Sequence, residues 1–170
     1  MNTPSMHWYL VHTKPRQEQI ALENLERQNY TCYLPTLPVE KIRQSSTVLV
    51  EEPLFPRYLF IRLGLDFKSQ SWAPIRSTTG VSRLVRFGME PAKVDDALID
   101  VLHQQETLYK ARPKKLFSPG DRVVITQGPF TGIEGVFQIA SGEQRVMVLI
   151  ELMSKPVTLP LAPNQLKSLG

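Results

Sequence analysis

The sequence predicts an α+β protein in two parts. An α/β sandwich spans residues 1–108, a basic linker 109–117, and a small five-stranded β-barrel 118–170. Three observations carry this. Strand-like and helix-like segments alternate through the first part. The run Lys110-Ala111-Arg112-Pro113-Lys114-Lys115 then interrupts them with four cations and a proline. Beyond Leu116 the strands are short and turn residues frequent.

Each element has its own signal. Met6 to Thr13 is aromatic and β-branched and reads as a strand. Pro15 suits a first helical turn, and Arg16 to Gln28 follows as a helix with Ala21, Leu22 and Leu25 on one stripe and Glu23–Arg27 as an i,i+4 pair. Tyr30 to Leu34 is a short strand, stopped by Pro35, and Val39 to Val50 an extended hairpin centred on Ser45-Ser46. The near-continuous apolar run Leu54 to Leu63 predicts a central strand buried on both faces. A short helix falls in Ser69 to Ser77 and a strand in Val81 to Phe87. Val94 to Tyr109 predicts a helix with Val94, Ala97, Leu98, Val101, Leu102 and Leu108 inward. The barrel opens at Pro119-Gly120-Asp121, turns at Gln127-Gly128-Pro129-Phe130 and again at Ser141-Gly142-Glu143.

Bulk properties narrow the function classes. The chain has 170 residues, 42% of them hydrophobic, enough for real cores. Its net charge of +4 suits contact with nucleic acid without demanding it. Cys32 is the single cysteine, which fits a reducing cytoplasm. No secretory signal and no membrane span is expected. His7, His12 and His103 lack metal-ligand spacing, Cys32 has no evident base, and no glycine loop would cradle phosphate. The expectation is a protein that is not an enzyme and needs no cofactor or metal; nothing demands a homo-oligomer, and a monomer is expected.

The run from Pro119 to Phe137 closely resembles the KOW motif of NusG-type transcription elongation factors and some ribosomal proteins. Trp8-Tyr9-Leu10-Val11, Leu25-Glu26-Arg27-Gln28, Glu52 to Phe60 and Arg76 to Gly88 are similar to the NusG amino-terminal domain. The Glu-Pro-Leu-Phe-Pro-x-Tyr-Leu-Phe and Gly-Val-Ser-x-x-Val-Arg-Phe-Gly blocks resemble the RfaH branch, the specialised antiterminators. The resemblance implies a factor that rides on RNA polymerase, docks on the clamp helices, bridges to the opposite lobe and suppresses pausing and termination at selected operons. The KOW domain would recruit a small-subunit ribosomal protein or a termination factor.

Carried over residue by residue, the resemblance assigns polymerase binding to Phe55, Tyr58 and Phe60, with Ser71 and Trp72 toward the lobe. Tyr58 and Phe60 share strand parity, opposite to Leu59 and Ile61, and the Tyr58 face is the expected partner face. Lys14, Arg16, Arg27, Gln28, Thr78 and Thr79 match positions near the non-template DNA strand. On a continuous helix Arg16 and Arg27 would lie about 16 Å apart on one face, suited to a nucleic-acid backbone. A solvated helix face is an equal reading of these two cations.

Glu52, Arg145 and Phe137 match interdomain positions; in the RfaH branch the Glu52–Arg145 equivalent is a salt bridge holding the barrel sequence as a helical hairpin. Pro129 and Pro156 oppose long helices, and Val123, Val124, Val146, Val148 and Ile150 favour strand. The barrel is therefore expected, with a shortened helical alternative between Ile133 and Lys155. Two other functions stay open: a general NusG-type factor, and a ribosomal or RNA-binding KOW protein.

Overall fold

Alternation of apolar side chains along one strand sets the architecture. In the computed structural model, which describes residues 6–64, 72–111 and 133–154, Tyr58–Gly64 (β5) sends Leu59, Ile61 and Leu63 to one face of a sheet and Phe60 to the other, all almost fully buried. Met6–Thr13 (β1) pairs with β5 antiparallel from Met6↔Gly64 to His12↔Tyr58. Thr31–Tyr33 (β2) pairs with the other side of β5. Val81–Leu84 (β6) and Lys93–Val94 (β9) share the far edge of β1, so the strand order is β2-β5-β1-β6. β5 is thus central, as its composition predicts.

One helix covers each face. Glu18–Arg27 (α1) lays Ala21 and Leu25 on Tyr9, Val11, Leu59 and Ile61. Asp96–Ala111 (α3) lays Leu98, Ile99 and Leu102 on Leu10, Phe60 and Val94. Thr36–Arg43 (β3) and Ser46–Pro53 (β4) form a separate hairpin, turned by Gln44 and Ser45, both at positive φ as a two-residue hairpin turn needs. Ala73–Arg76 (α2) packs on β6, while Arg86–Phe87 (β7) and Glu90–Pro91 (β8) make a small ribbon around Gly88.

Several local expectations are corrected. α1 starts at Glu18, so Arg16, at φ 61°, belongs to the preceding turn and not to the helix. Glu23 accepts from Gln19 and Arg27 donates to Asn24, so the expected Glu23–Arg27 pair does not form. Leu54 to Arg57 is a turn closed by Tyr58 N–H on Phe55 O, because Pro56 has no N–H for a ladder and Arg57 takes φ 72°. In α3, Ala97 and Leu108 face solvent and Ile99 is buried instead.

The largest correction lies in the C-terminal part. Ile133–Val136 (α4) and Gly142–Ser154 (α5) are helical where barrel strands are expected, within the bounds of the shortened helical alternative. The Ser141-Gly142-Glu143 turn is instead a helix start: Gln144 N–H donates to Ser141 Oγ at 3.3 Å, and Glu143 sits in the first turn where the helix dipole favours it. Arg145 and Leu149 point to the core with Leu152 and Met153, at helical spacing. The tertiary contact of this stripe outweighs the strand preference of Val146, Val148 and Ile150. Thr126 to Gly132, Val123, Val124, Pro129, Pro156 and linker residues 112–117 lie outside the described residues.

Candidate functional site

The aromatics at the start of β5 sit beneath the C-terminal helices. Phe55 and Phe60 are buried, 6.3 Å apart in a T-shaped pair, in the same apolar cluster as Val136, Phe137 and Leu149. Tyr58 is half-buried at the rim of that cluster. The Tyr58 and Phe60 face is therefore covered by α3 and by the C-terminal segment, and the Leu59 and Ile61 face by α1. Both faces of β5 are core in this arrangement.

His12 adjoins Tyr58, with ring centroids 5.0 Å apart, a contact that the β1–β5 register explains. Its Nδ1 is buried with no hydrogen-bond partner. Burial, with Arg57 and Arg83 nearby, pulls the imidazole below its ordinary pKa, so it is neutral at neutral pH. The sequence reads His12 as a structural strand residue or part of the partner surface; its place beside Tyr58 emerges from cross-strand pairing.

The interdomain residues meet in a different pattern from the one expected. Glu52 pairs with Lys41 across the β3–β4 hairpin, and no ion pair joins Glu52 to Arg145 among the described residues. Arg145 is fully buried. Its Nε donates to Leu54 O at 2.6 Å, and its Nη1 donates to Ile139 O at 2.5 Å and to Ala140 O at 3.2 Å. Burial lowers the guanidinium's pKa, and the field of Glu52 opposes that shift. Phe137 packs on Tyr109 of α3, with centroids 5.6 Å apart. A cavity of about 400 Å³ runs between the hairpin and this segment, bounded by Lys41, Glu52, Tyr109, Phe137, Gln138 and Arg145.

The residues matched to DNA gather around the N-terminus and the end of α1. Gln28 Nε2 donates to Thr78 Oγ1 at 2.8 Å, and Thr78 Oγ1 donates to Pro74 O, so Thr78 is a buried brace and not an exposed contact. Lys14, Arg16, Arg27 and Thr79 are exposed. Lys14 N–H donates to Gly80 O at 2.9 Å, which brings the Lys14–Arg16 turn beside Thr79. A cleft of about 560 Å³ between α2 and β6 presents Trp72, Ile75, Arg76, Arg83, Leu84 and Arg86. The Trp72 indole is fixed by its N–H on Gly64 O at 3.0 Å and by an edge contact on Tyr9 at 4.9 Å. Ser71 lies outside the described residues. No cluster of three metal-ligating side chains occurs among the described residues, and no helix there is long and apolar enough to cross a membrane.

The family profile described as "Transcription termination factor nusG" matches residues 6–103, every strand of the sandwich and the first half of α3. The chain belongs to the NusG family. A Thermus thermophilus relative named "Transcription termination/antitermination protein NusG" is 31% identical, over 91% of this chain and 95% of its own length. Relatives of the same name from Rickettsia bellii and Escherichia coli O6:H1 are 25% and 27% identical, covering 94% and 96% of this chain and 88% and 97% of their own. A solved structure titled "Domain interaction in Thermotoga maritima NusG" aligns with 74% of this chain and 75% of its own at a TM-score of 0.46 and 23% identity. NusG family members are transcription termination/antitermination factors and not enzymes, and the relatives named here carry the NusG name and not that of the RfaH branch.

Proposed function

We propose that this NusG family chain is an antiterminator of the RfaH type, which binds the RNA polymerase elongation complex through the Phe55–Tyr58–Phe60 surface and is closed on itself before recruitment. The observation that carries the reading is the seating of α5 and Phe137 on the cluster that holds those aromatics. A polymerase helix pair and α5 would compete for the same apolar surface, so binding requires that the C-terminal segment leave. The factor makes and breaks no bond. It shortens pauses by binding the processive state of the enzyme better than the paused state, a population shift.

Lys14, Arg16 and Arg27, with the arginine-lined cleft beside Trp72, form the surface assigned to the displaced non-template strand. Trp72 and Ser71 are assigned to the opposite polymerase lobe. The released C-terminal part then takes the KOW barrel that its strand-forming residues favour and recruits a small-subunit ribosomal protein or a termination factor. A general NusG-type factor is the second reading, favoured by the names of the relatives.

The test is binding to a reconstituted bacterial elongation complex, with pause lifetimes read on the same template, for the full chain and for residues 1–110. Under the proposal the full chain binds weakly without a recruiting DNA sequence, residues 1–110 bind tightly and shorten pauses, and Tyr58→Ala weakens both effects. Equal binding by both forms would favour a general NusG-type factor. Binding by neither would sink the polymerase reading.

A further inference from the structure

The closed arrangement on which the preceding reading rests needs something to hold the C-terminal segment on the sandwich. The expected device is an Arg145–Glu52 salt bridge. In this chain Lys41 occupies Glu52, and Arg145 turns to backbone carbonyls from both sides of the interdomain boundary. Leu54 O belongs to the turn ahead of the β5 aromatics, whereas Ile139 O and Ala140 O belong to the connection between α4 and α5. One planar guanidinium therefore ties the docking site to the start of the helix that docks there.

A second contact acts at the same place. Gly142, the first residue of α5, lies so close to Pro56 that a Cβ built on it would come within 2.5 Å of Pro56 Cγ and 3.0 Å of Cδ. The proline ring is rigid and cannot move aside as a flexible side-chain end would. Only a glycine lets the first turn of α5 reach the Leu54-Phe55-Pro56 turn, and only that approach brings Arg145 within reach of Leu54 O.

We infer that the lock on the closed form is a carbonyl latch, Arg145 on Leu54 O seated by Gly142 on Pro56, and not an Arg145–Glu52 ion pair. Three consequences follow from the chemistry. An arginine presents its Nε and Nη donors in a fixed fork, and a lysine has one nitrogen, so charge alone does not preserve the latch. Glu52 acts only through its field, so neutralising it has a small effect. Because the same guanidinium also binds the α4–α5 connection, loosening the dock weakens the helix start as well.

The experiment is amide hydrogen exchange over residues 142–154 of the full chain, for wild type, Arg145→Lys, Gly142→Ala and Glu52→Gln, with exchange in α1 as the control for the sandwich. The expected result is protected α5 amides in wild type and in Glu52→Gln. Arg145→Lys and Gly142→Ala should each lose about tenfold to a hundredfold of that protection, with α1 unchanged. Loss in Glu52→Gln equal to that in Arg145→Lys would overturn the latch in favour of the ion pair. Retained protection in both Arg145→Lys and Gly142→Ala would overturn it as well. Unprotected α5 amides in wild type would instead remove the closed form itself, a separate failure from that of the latch.

Discussion

The Tyr33 hydroxyl donates a 2.6 Å hydrogen bond to Glu106 Oε1, joining the end of β2 to the middle of α3. The other carboxylate oxygen accepts from Thr36 N–H at 2.8 Å, and Lys110 closes the group at 3.0 Å one turn along the helix. His103 stacks on the Tyr33 ring at 3.7 Å. The group holds α3 against the foot of the β3–β4 hairpin, the platform on which Phe137 rests. Burial alone would raise the Glu106 pKa, but the bonds from Tyr33, Thr36 and Lys110 outweigh it and leave the carboxyl below its ordinary 4.5. A depressed folded value means stability present above the unfolded pKa and lost as pH falls through the folded one. Glu106→Gln is expected to cost about 2 kcal/mol at neutral pH. Thermal melts should show wild type losing more stability than the variant as pH falls below the ordinary 4.5. Parallel pH profiles would mean that the carboxylate contributes nothing as a charge.

Gly80 controls how closely α1 approaches the sheet. It holds φ 93°, and an added Cβ would lie 2.7 Å from the Ala21 backbone nitrogen. The approach to Ala21 cannot relax without moving α1 or the Gly80 turn. Gly80→Ala should destabilise the chain by about 2–3 kcal/mol, seen as a lower urea midpoint with an unchanged slope. A midpoint equal to wild type would show that α1 shifts freely on the sheet.

Cys32 is held inert by its surroundings. Burial, with a smaller contribution from Glu26, pushes the thiol from 9.0 up to about 12. At pH 8 such a thiol carries about a thousandfold less thiolate, the reactive form, than one at 9.0. Labelling with an iodoacetamide probe should be slow in the native chain and rapid in urea. Rapid native labelling would show that β2 opens at the sheet edge.

The cations near α1 are expected to act through charge. Arg16→Ala and Arg27→Ala should each weaken single-stranded DNA binding and flatten the plot of log affinity against log salt by about 0.7 per lost phosphate contact. Thr78→Val should reduce stability more than it changes that slope, because its hydroxyl is spent on Gln28 and Pro74. An unchanged salt slope in both arginine variants would move the DNA surface elsewhere, with the arginine-lined cleft next to test.

Much of the sandwich was legible because its signals are local. The near-continuous apolar run from Leu54 to Leu63 predicts a central strand buried on both faces, and Tyr58–Gly64 takes that place, whereas the parity reading that left the Tyr58 face open for a partner does not hold where both faces are covered. The hairpin and α3 were readable from turn chemistry and helical spacing. Element ends were less so: Pro56 and Arg57 convert the first residues of the predicted strand to a turn, and Arg16 falls outside α1. A capping signal was present at Ser141 with Gln144 three residues on, but it competed with an equally local turn signal at Ser141-Gly142-Glu143.

The sequence by itself determined the order of strands and helices in the sandwich, that the chain carries NusG family blocks, and that a shortened helical alternative between Ile133 and Lys155 stands beside the expected barrel strands. Only the tertiary structure decided between those two patterns in the C-terminal part. Val146, Val148 and Ile150 favour a strand only where a neighbouring strand pairs with them, whereas Leu149, Leu152 and Met153 form a usable helical stripe only where an apolar surface receives them. The Phe55–Phe60 cluster supplies that surface, and the Leu54 carbonyl supplies the acceptor for Arg145. Neither can be read from the sequence of residues 133–154, because both lie some ninety positions earlier in the chain.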